Sequence, residues 1–207
     1  MNPLLVYGGT FDPVHEGHVA IAQAAADALD ARCALLIPCG DPPHRQRPRA
    51  PGPARAQMLR LAFAVDPRFA VDERELRRSG PSYTVDTLSE LRRELGPDLP
   101  IVLLLGVDAA NGLPSWHQPQ RLPALAHLLV VARPNIALDA KVYALGWQAA
   151  ADVAALRRTP AGALLHRPLP LSSASSTTIR AALARGATPA GLPPAVAEWL
   201  QGHPYYR

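Results

Sequence analysis

The sequence has almost no lysine: Lys141 is the only one among 21 basic residues, and the others are arginine. The formal net charge of +4 is therefore carried almost wholly by guanidinium groups, and no dense basic run marks a nucleic-acid tract. Arginine suits bidentate phosphate binding, although genome composition alone also produces such a bias. Cysteine is scarce too. Cys33 and Cys39 could pair in principle, but the N-terminus lacks the basic region, long apolar stretch and small-residue cleavage site of a secretory leader. A reduced, cytoplasmic setting is expected. Long apolar runs are also missing. The alanine-rich stretch 19–31 is broken by Gln23, Asp27 and Asp30, and nothing approaches the roughly 20 residues that cross a bilayer. The expectation is a soluble protein whose partners include neither a membrane nor nucleic acid.

Proline is abundant, with 23 residues that cluster at Pro38 to Pro53 and Pro189 to Pro194. These clusters predict long ordered loops rather than low complexity. With 48% hydrophobic and 18% charged residues, the composition is that of a globular protein. The length of 207 residues fits one core, so one domain over residues 1–207 is expected. No internal repeat is found.

Short apolar runs at Leu4–Tyr7, Ala34–Ile37, Phe69–Val71, Ile101–Leu105, His127–Val131 and Ala163–Leu165 have strand-like length and turn-like borders. Between them, helical spacing appears over Val19–Leu29, Met58–Val65, Val85–Leu95 and Ala140–Leu156. This alternation predicts an α/β fold, a Rossmann-like parallel sheet with helices on both faces. Two further helices are expected in a C-terminal segment of about 172–207, at Ser176–Ala184 and Ala195–Gln201. The first opens with a capping Ser/Thr cluster. Pro168–Ser175 reads as a linker, but the segment after it is too short for an independent core.

The strongest local signal runs from Gly8 to His18, Gly-Gly-Thr-Phe-Asp-Pro-Val-His-Glu-Gly-His, between the first strand and the first helix. Ligands of open α/β sheets sit beyond the carboxyl ends of strands, where a helix N-terminus offers free N–H groups and partial positive charge. Gly8 and Gly9 let a ligand approach the backbone closely. If helical, His15 and His18 are offset by about 60° around the axis, so both rings can face one ligand, and Gly17 leaves room for a polyphosphate. An isolated pair of this spacing more often caps or packs. The preceding glycines tilt the balance towards a phosphate site. Zinc is the other alternative, but Cys33 and Cys39 lack the short ligand spacing of structural zinc sites.

The stretch resembles the GTFDPxHxGH signature of the nucleotidyltransferase superfamily, and its doubled glycine opening is similar to that of bacterial nicotinate-nucleotide adenylyltransferases. Four more segments carry the same resemblance: the proline-rich stretch Pro38–Arg45, Ser82–Leu88, Gly106-Val107-Asp108 with Leu113 and Trp116, and Ser175–Arg180. Ala174, Arg45 and Asp41 stand where that family often has isoleucine, lysine and asparagine.

The resemblance implies a Rossmann-like nucleotidyltransferase fold and the reaction of nicotinate mononucleotide with ATP, giving nicotinate adenine dinucleotide and pyrophosphate in NAD biosynthesis. It implies catalytic roles for His15, His18 and Arg180. For ATP it implies Gly8, Gly9, Thr10 and Phe11 with the two histidines; Gly106, Asp108 and Arg133; and Ser175, Ser176, Thr177 and Arg180. For the mononucleotide it implies Asp41, His44, Arg45, Tyr83, Thr84, Asp108 and Trp116. Taken singly, Trp116 fits a core position equally well, and Asp108 and Thr84 fit helix caps. A carboxylate at Asp41 would repel an anionic substrate. Mg²⁺ is expected to arrive with ATP rather than in a protein cage. Arg55, Arg60, Arg77 and Arg78 are expected on the solvated surface. Monomer and homo-oligomer remain equally open.

Overall fold

The structure is a computed structural model that describes residues 2–41, 47–169 and 174–207. Its strands are β1 Leu4–Gly9, β2 Cys33–Pro38, β3 Phe69–Val71, β4 Ile101–Gly106, β5 His127–Val131, β6 Gln148–Ala149 and β7 Ala163–Arg167. They form one parallel sheet in the order β3-β2-β1-β4-β5-β7-β6. All six strands expected from the apolar runs are present. The helices are α1 Glu16–Leu29, α2 Gly52–Phe63, α3 Arg74–Arg77, α4 Thr84–Leu95 and α5 Val107–Asn111, then α6 Leu122–Leu125, α7 Ala140–Tyr143, α8 Ser176–Leu183 and α9 Pro194–Gln201.

Side chains alternate across the central strands. Leu4, Val6, Ile101, Leu103, Leu128 and Val130 point to the face covered by Val85, Leu88 and Leu91 of α4, with Leu122 of α6 and Val142 of α7. Leu5, Val102, Leu104, Leu129 and Val131 point to the other face, against Ala25, Ala26 and Leu29 of α1. Both faces are thus dry, which is why the strands are apolar throughout instead of alternating with polar residues. A further cluster joins Met58, Leu59 and Phe63 of α2 to Val196 and Leu200 of α9. The C-terminal helices are in this way sealed onto the sheet's α2 side.

The expected helix Ala140–Leu156 does not form as one element. Helix α7 stops at Tyr143, Gly146 takes φ +120, and residues 148–149 pair with β7. A short 3-10 helix then covers Val153–Arg157. Helical spacing was overridden by tertiary demands: Trp147 is buried and donates its indole N–H to the Ala126 carbonyl at 3.0 Å. Helix α2 starts at Gly52, well before the expected Met58, because Pro53 lies in the first turn, where its missing N–H costs nothing.

The chain leaves β1 towards β2 and β3 on one side, and continues from β4 to β5 on the other. The carboxyl ends of β1 and β4 therefore flank the point where the winding reverses. A crevice opens there in any sheet of this kind.

Candidate active site

Beyond β1 the chain makes a tight turn. Phe11 adopts φ +50 and buries its ring edge-on against Tyr7 and His18, with centroids 5.3 and 5.1 Å away. A side chain at Gly9 would put a Cβ 3.0 Å from that ring, so the ring would have to shift by a few tenths of an ångström to admit it. His15 is the extended residue that caps α1, with φ −142, and is not itself helical. His18 stands third in the helix, and its Nδ1 accepts from the His15 amide at 3.2 Å. One histidine of the pair thus does cap the helix, as the structural reading of the pair has it. With Nδ1 engaged as an acceptor, Nε2 is the ring nitrogen placed to donate. The two rings lie 3.7 Å apart between centroids. His15 is buried, and its Nδ1 has no hydrogen-bond partner among the described residues. Burial, and secondarily the charge of Arg133, lowers its pKa to about 4, so the ring is neutral at pH 7.

A polar cavity of about 690 Å³ sits on this turn. Gly8, Gly9, Thr10 and Phe11 line it from the turn, and His15 and His18 from the start of α1. Gly106, Asp108 and Arg133 come from the ends of β4 and β5, and Ser176, Thr177 and Arg180 from the first turns of α8. Ser175 does not line it. Its hydroxyl caps α8, accepting from the Thr178 amide at 3.1 Å. Arg180 reaches the Asp12 carbonyl at 2.7 Å, and Ser176 the Pro13 carbonyl at 3.0 Å. Arg47 and Arg49 complete the lining.

A second cavity of about 360 Å³ adjoins the first and shares Gly8, Gly9, Thr10, Leu105, Asp108 and Ala109 with it. Tyr83, Thr84 and Trp116 line it, and Tyr83 stacks on His117 at 4.2 Å. Tyr83 is the N-cap of α4 and has no side-chain cap bond, so the first amides of this helix face the cavity end of the element. Asp108 stands between the two cavities in an ion pair with Arg133 at 2.7 Å. Asp41 lines neither. It is exposed, and its carbonyl accepts from the Ser82 amide at 2.9 Å. His44 and Arg45 lie outside the described residues.

Arg55 is not on the surface. It is 2% exposed and donates to the carbonyls of Ala50, Thr10 and Cys39 at 3.1, 2.8 and 2.7 Å. Charge suggested solvent, but Arg55 shares a helix stripe with Met58 and Leu59, and that i, i+3, i+4 spacing is the signal of an inward face. Arg78 is also largely covered, paired with Glu90 at 2.8 Å. Arg60 pairs with Glu73, and Arg77 is exposed as expected. Sequence reasoning also passed over Glu75, a buried residue on the smaller cavity. Its carboxylate accepts from Thr87 Oγ1 at 2.7 Å, and burial raises its pKa.

Two adjoining cavities at the winding reversal, one lined by histidine and arginine and the other by aromatic rings, define a nucleotide-handling α/β protein. The cytidylyltransferase-like family matches residues 6–182, and the chain belongs to it. Similar members of that family carry the name of probable nicotinate-nucleotide adenylyltransferases. One from Stenotrophomonas maltophilia, named "Probable nicotinate-nucleotide adenylyltransferase", is 45% identical over 100% of this chain and 98% of its own length. A second of the same name from Aeromonas hydrophila is 45% identical over 99% and 97%. Among solved structures, a Plasmodium falciparum nicotinic acid mononucleotide adenylyltransferase complexed with NaAD shares the fold. Its TM-score is 0.72 at 17% identity, covering 100% of this chain and 98% of that one.

Proposed function

We propose that the protein transfers the adenylyl group of ATP to nicotinate mononucleotide, releasing pyrophosphate, with the reaction centre at the seam between the two cavities. The observation that carries this reading is the seam itself. Gly8, Gly9, Thr10 and Asp108 border both cavities, so a triphosphate in one and a pyridine mononucleotide in the other meet at the turn bearing His15 and His18. The relatives' names agree with it.

The nucleophile is the substrate's own phosphate. A phosphate monoester has its second pKa near 6, so it is largely ionised at pH 7 and needs no general base. It attacks the α-phosphorus, the bond to the bridging oxygen breaks, and pyrophosphate leaves with that electron pair. Nothing is bonded to the enzyme. The protein's task is to bring two anions together and stabilise charge on the transferring and leaving groups. His18, whose Nδ1 accepts the His15 amide, presents Nε2 as its donor. His15 enters the reaction uncharged, and an arriving polyphosphate favours its protonation. Arg47, Arg49 and Arg180 supply permanent charge from the walls, and the capped start of α8 supplies a helix dipole. In the smaller cavity Trp116 and Tyr83 hold the pyridine, and the first amides of α4 receive its carboxylate.

An ATP-using transferase of this type generally works with a divalent metal, and the donor set fits one carried by the substrate. The Asp12 carboxylate accepts from protein donors and Asp108 is paired with Arg133, so the polar cavity offers a cation little beyond what phosphates bring. Mg²⁺ bound to ATP would reduce the charge repelling the incoming phosphate. No helix among the described residues is long and apolar enough to cross a membrane, and we place the activity in the cytoplasm, on one domain spanning the chain. The test is direct: purified protein is incubated with ATP, Mg²⁺ and candidate mononucleotides, and the products are identified. Nicotinate adenine dinucleotide and pyrophosphate in equal amounts are expected. Pyrophosphate without a dinucleotide, or no turnover with any pyridine mononucleotide, would overturn the assignment.

A further inference from the structure

Three other stretches of chain meet at Asp12. Its Oδ2 accepts the Arg49 amide at 2.8 Å and its Oδ1 the Ala50 amide at 3.0 Å. The Tyr206 hydroxyl donates to the same Oδ1 at 2.7 Å, across a sequence separation of 194. The Asp12 carbonyl accepts from Arg180 of α8. Tyr206 is 2% exposed, packed with the cluster that joins α2 to α9, and lines neither cavity. Adenylyl transfer between two phosphates has no use for a phenol at that place. Burial and the bond to Asp12 raise its pKa, so it stays a hydrogen donor at any working pH. Below the same turn, Arg55 ties Thr10 to Cys39 and Ala50.

We propose that Tyr206 is a positioning residue for adenylyl transfer: through Asp12, its hydroxyl sets the turn that carries His15 and His18 against the segment that carries Arg47 and Arg49. Three donors on one buried carboxylate fix its rotation, and hydrogen bonds to a charged acceptor are roughly twice as strong as neutral ones. Without the hydroxyl, the Asp12 carboxylate keeps, among the described residues, only the two amides, both from one segment, and loses its tie to the chain beyond α9. The turn can then drift relative to Arg47 and Arg49. A misplacement near 1 Å in such a site costs about a hundredfold in rate, so a partial loosening should cost about tenfold. Trp116 and Tyr83 stand on other elements, and the hold on the pyridine should not change.

The inference rests on the adenylyl-transfer reading of the polar cavity. The test uses the full chain with Tyr206→Phe, which keeps the buried ring, and measures melting, kcat and both KM values. The expected result is a cooperative melt, kcat lower by about tenfold, a raised KM for ATP and an unchanged KM for nicotinate mononucleotide. The same substitution made in an Asp12→Asn background should have little further effect on kcat, because the two residues act as one unit. Unaltered kinetics, an equal rise in both KM values, effects that simply add, or loss of the folded state would each overturn it. If the wild-type chain itself forms no dinucleotide, the underlying reading fails, a result distinct from normal turnover by both proteins.

Discussion

The roles proposed for His15 and His18 differ although the two share one motif. His18 Nδ1 is occupied by the His15 amide, which leaves Nε2 as its donor and suits it to charge that develops during transfer. Changing His18 to alanine should therefore lower kcat by about a hundredfold or more, on the scale of a lost oxyanion donor, with ATP affinity little altered. Steady-state kinetics beside a binding titration checks this, and near-normal turnover by a folded variant would exclude the role. His15 has instead a pKa lowered to about 4 by burial and by Arg133. The unfolded chain, with an ordinary value near 6.5, binds more protons than the folded one between these limits. Stability from this residue is fully present above pH 6.5 and is lost as pH falls towards 4, by about 3 kcal/mol at most. The stability difference between wild type and His15→Gln, followed by denaturant midpoints from pH 7 to 4.5, should shrink or reverse accordingly. A difference that stays constant would contradict the buried neutral ring.

At the scale of elements, the proposed specificity rests on the start of α4. Tyr83 ends an extended approach at φ −107, and the helix beginning at Thr84 presents amides and a positive dipole end near the smaller cavity. A carboxylate satisfies these donors, whereas a carboxamide turns an N–H₂ group towards one of them and leaves it unpaired at about 1–3 kcal/mol. The ratio of kcat/KM for nicotinate over nicotinamide mononucleotide should be about ten to a hundred. Equal values would remove α4 from substrate choice while leaving the chemistry standing. The approach to this helix is itself braced. The Gly40 amide donates to Ser82 Oγ at 2.9 Å, and a Cβ at Gly40 would sit 2.4 Å from the Glu75 carbonyl. Any side chain there would force the Gly40 backbone and α3 away from each other.

For the whole molecule, the two cavities meet where the sheet reverses its winding, and one dinucleotide can fill both. At equal concentration, nicotinate adenine dinucleotide should raise Tm more than AMP or nicotinate mononucleotide, since one molecule makes both sets of contacts and loses translational freedom once. At a hundred times its Kd the gain is about 2.7 kcal/mol, or roughly 5–10 °C for a chain of this size. Equal shifts in thermal melts would mean that the cavities are not used together. Legibility in the sequence varies with the range of the interactions. Apolar runs of strand length mark the strands correctly, because a strand buried on both faces records its environment in its own composition. The glycine turn, the histidine pair and the α8 cap are legible for the same reason: their geometry is set within a few residues. Ala140–Leu156 misleads because its helical spacing competes with the burial of Trp147 and with pairing to β7, neither of which is local. Arg55 reads as a solvent residue because a guanidinium is costly to bury, and only the folded chain brings it three carbonyls from three different segments. Tyr206 gives no signal, since its partner lies 194 residues away. The sequence alone determined six of the seven described strands, the turn and the chemistry of its side chains. The tertiary structure decided which charges are buried and which distant groups hold the turn, because those depend on contacts that exist only once the sheet has formed.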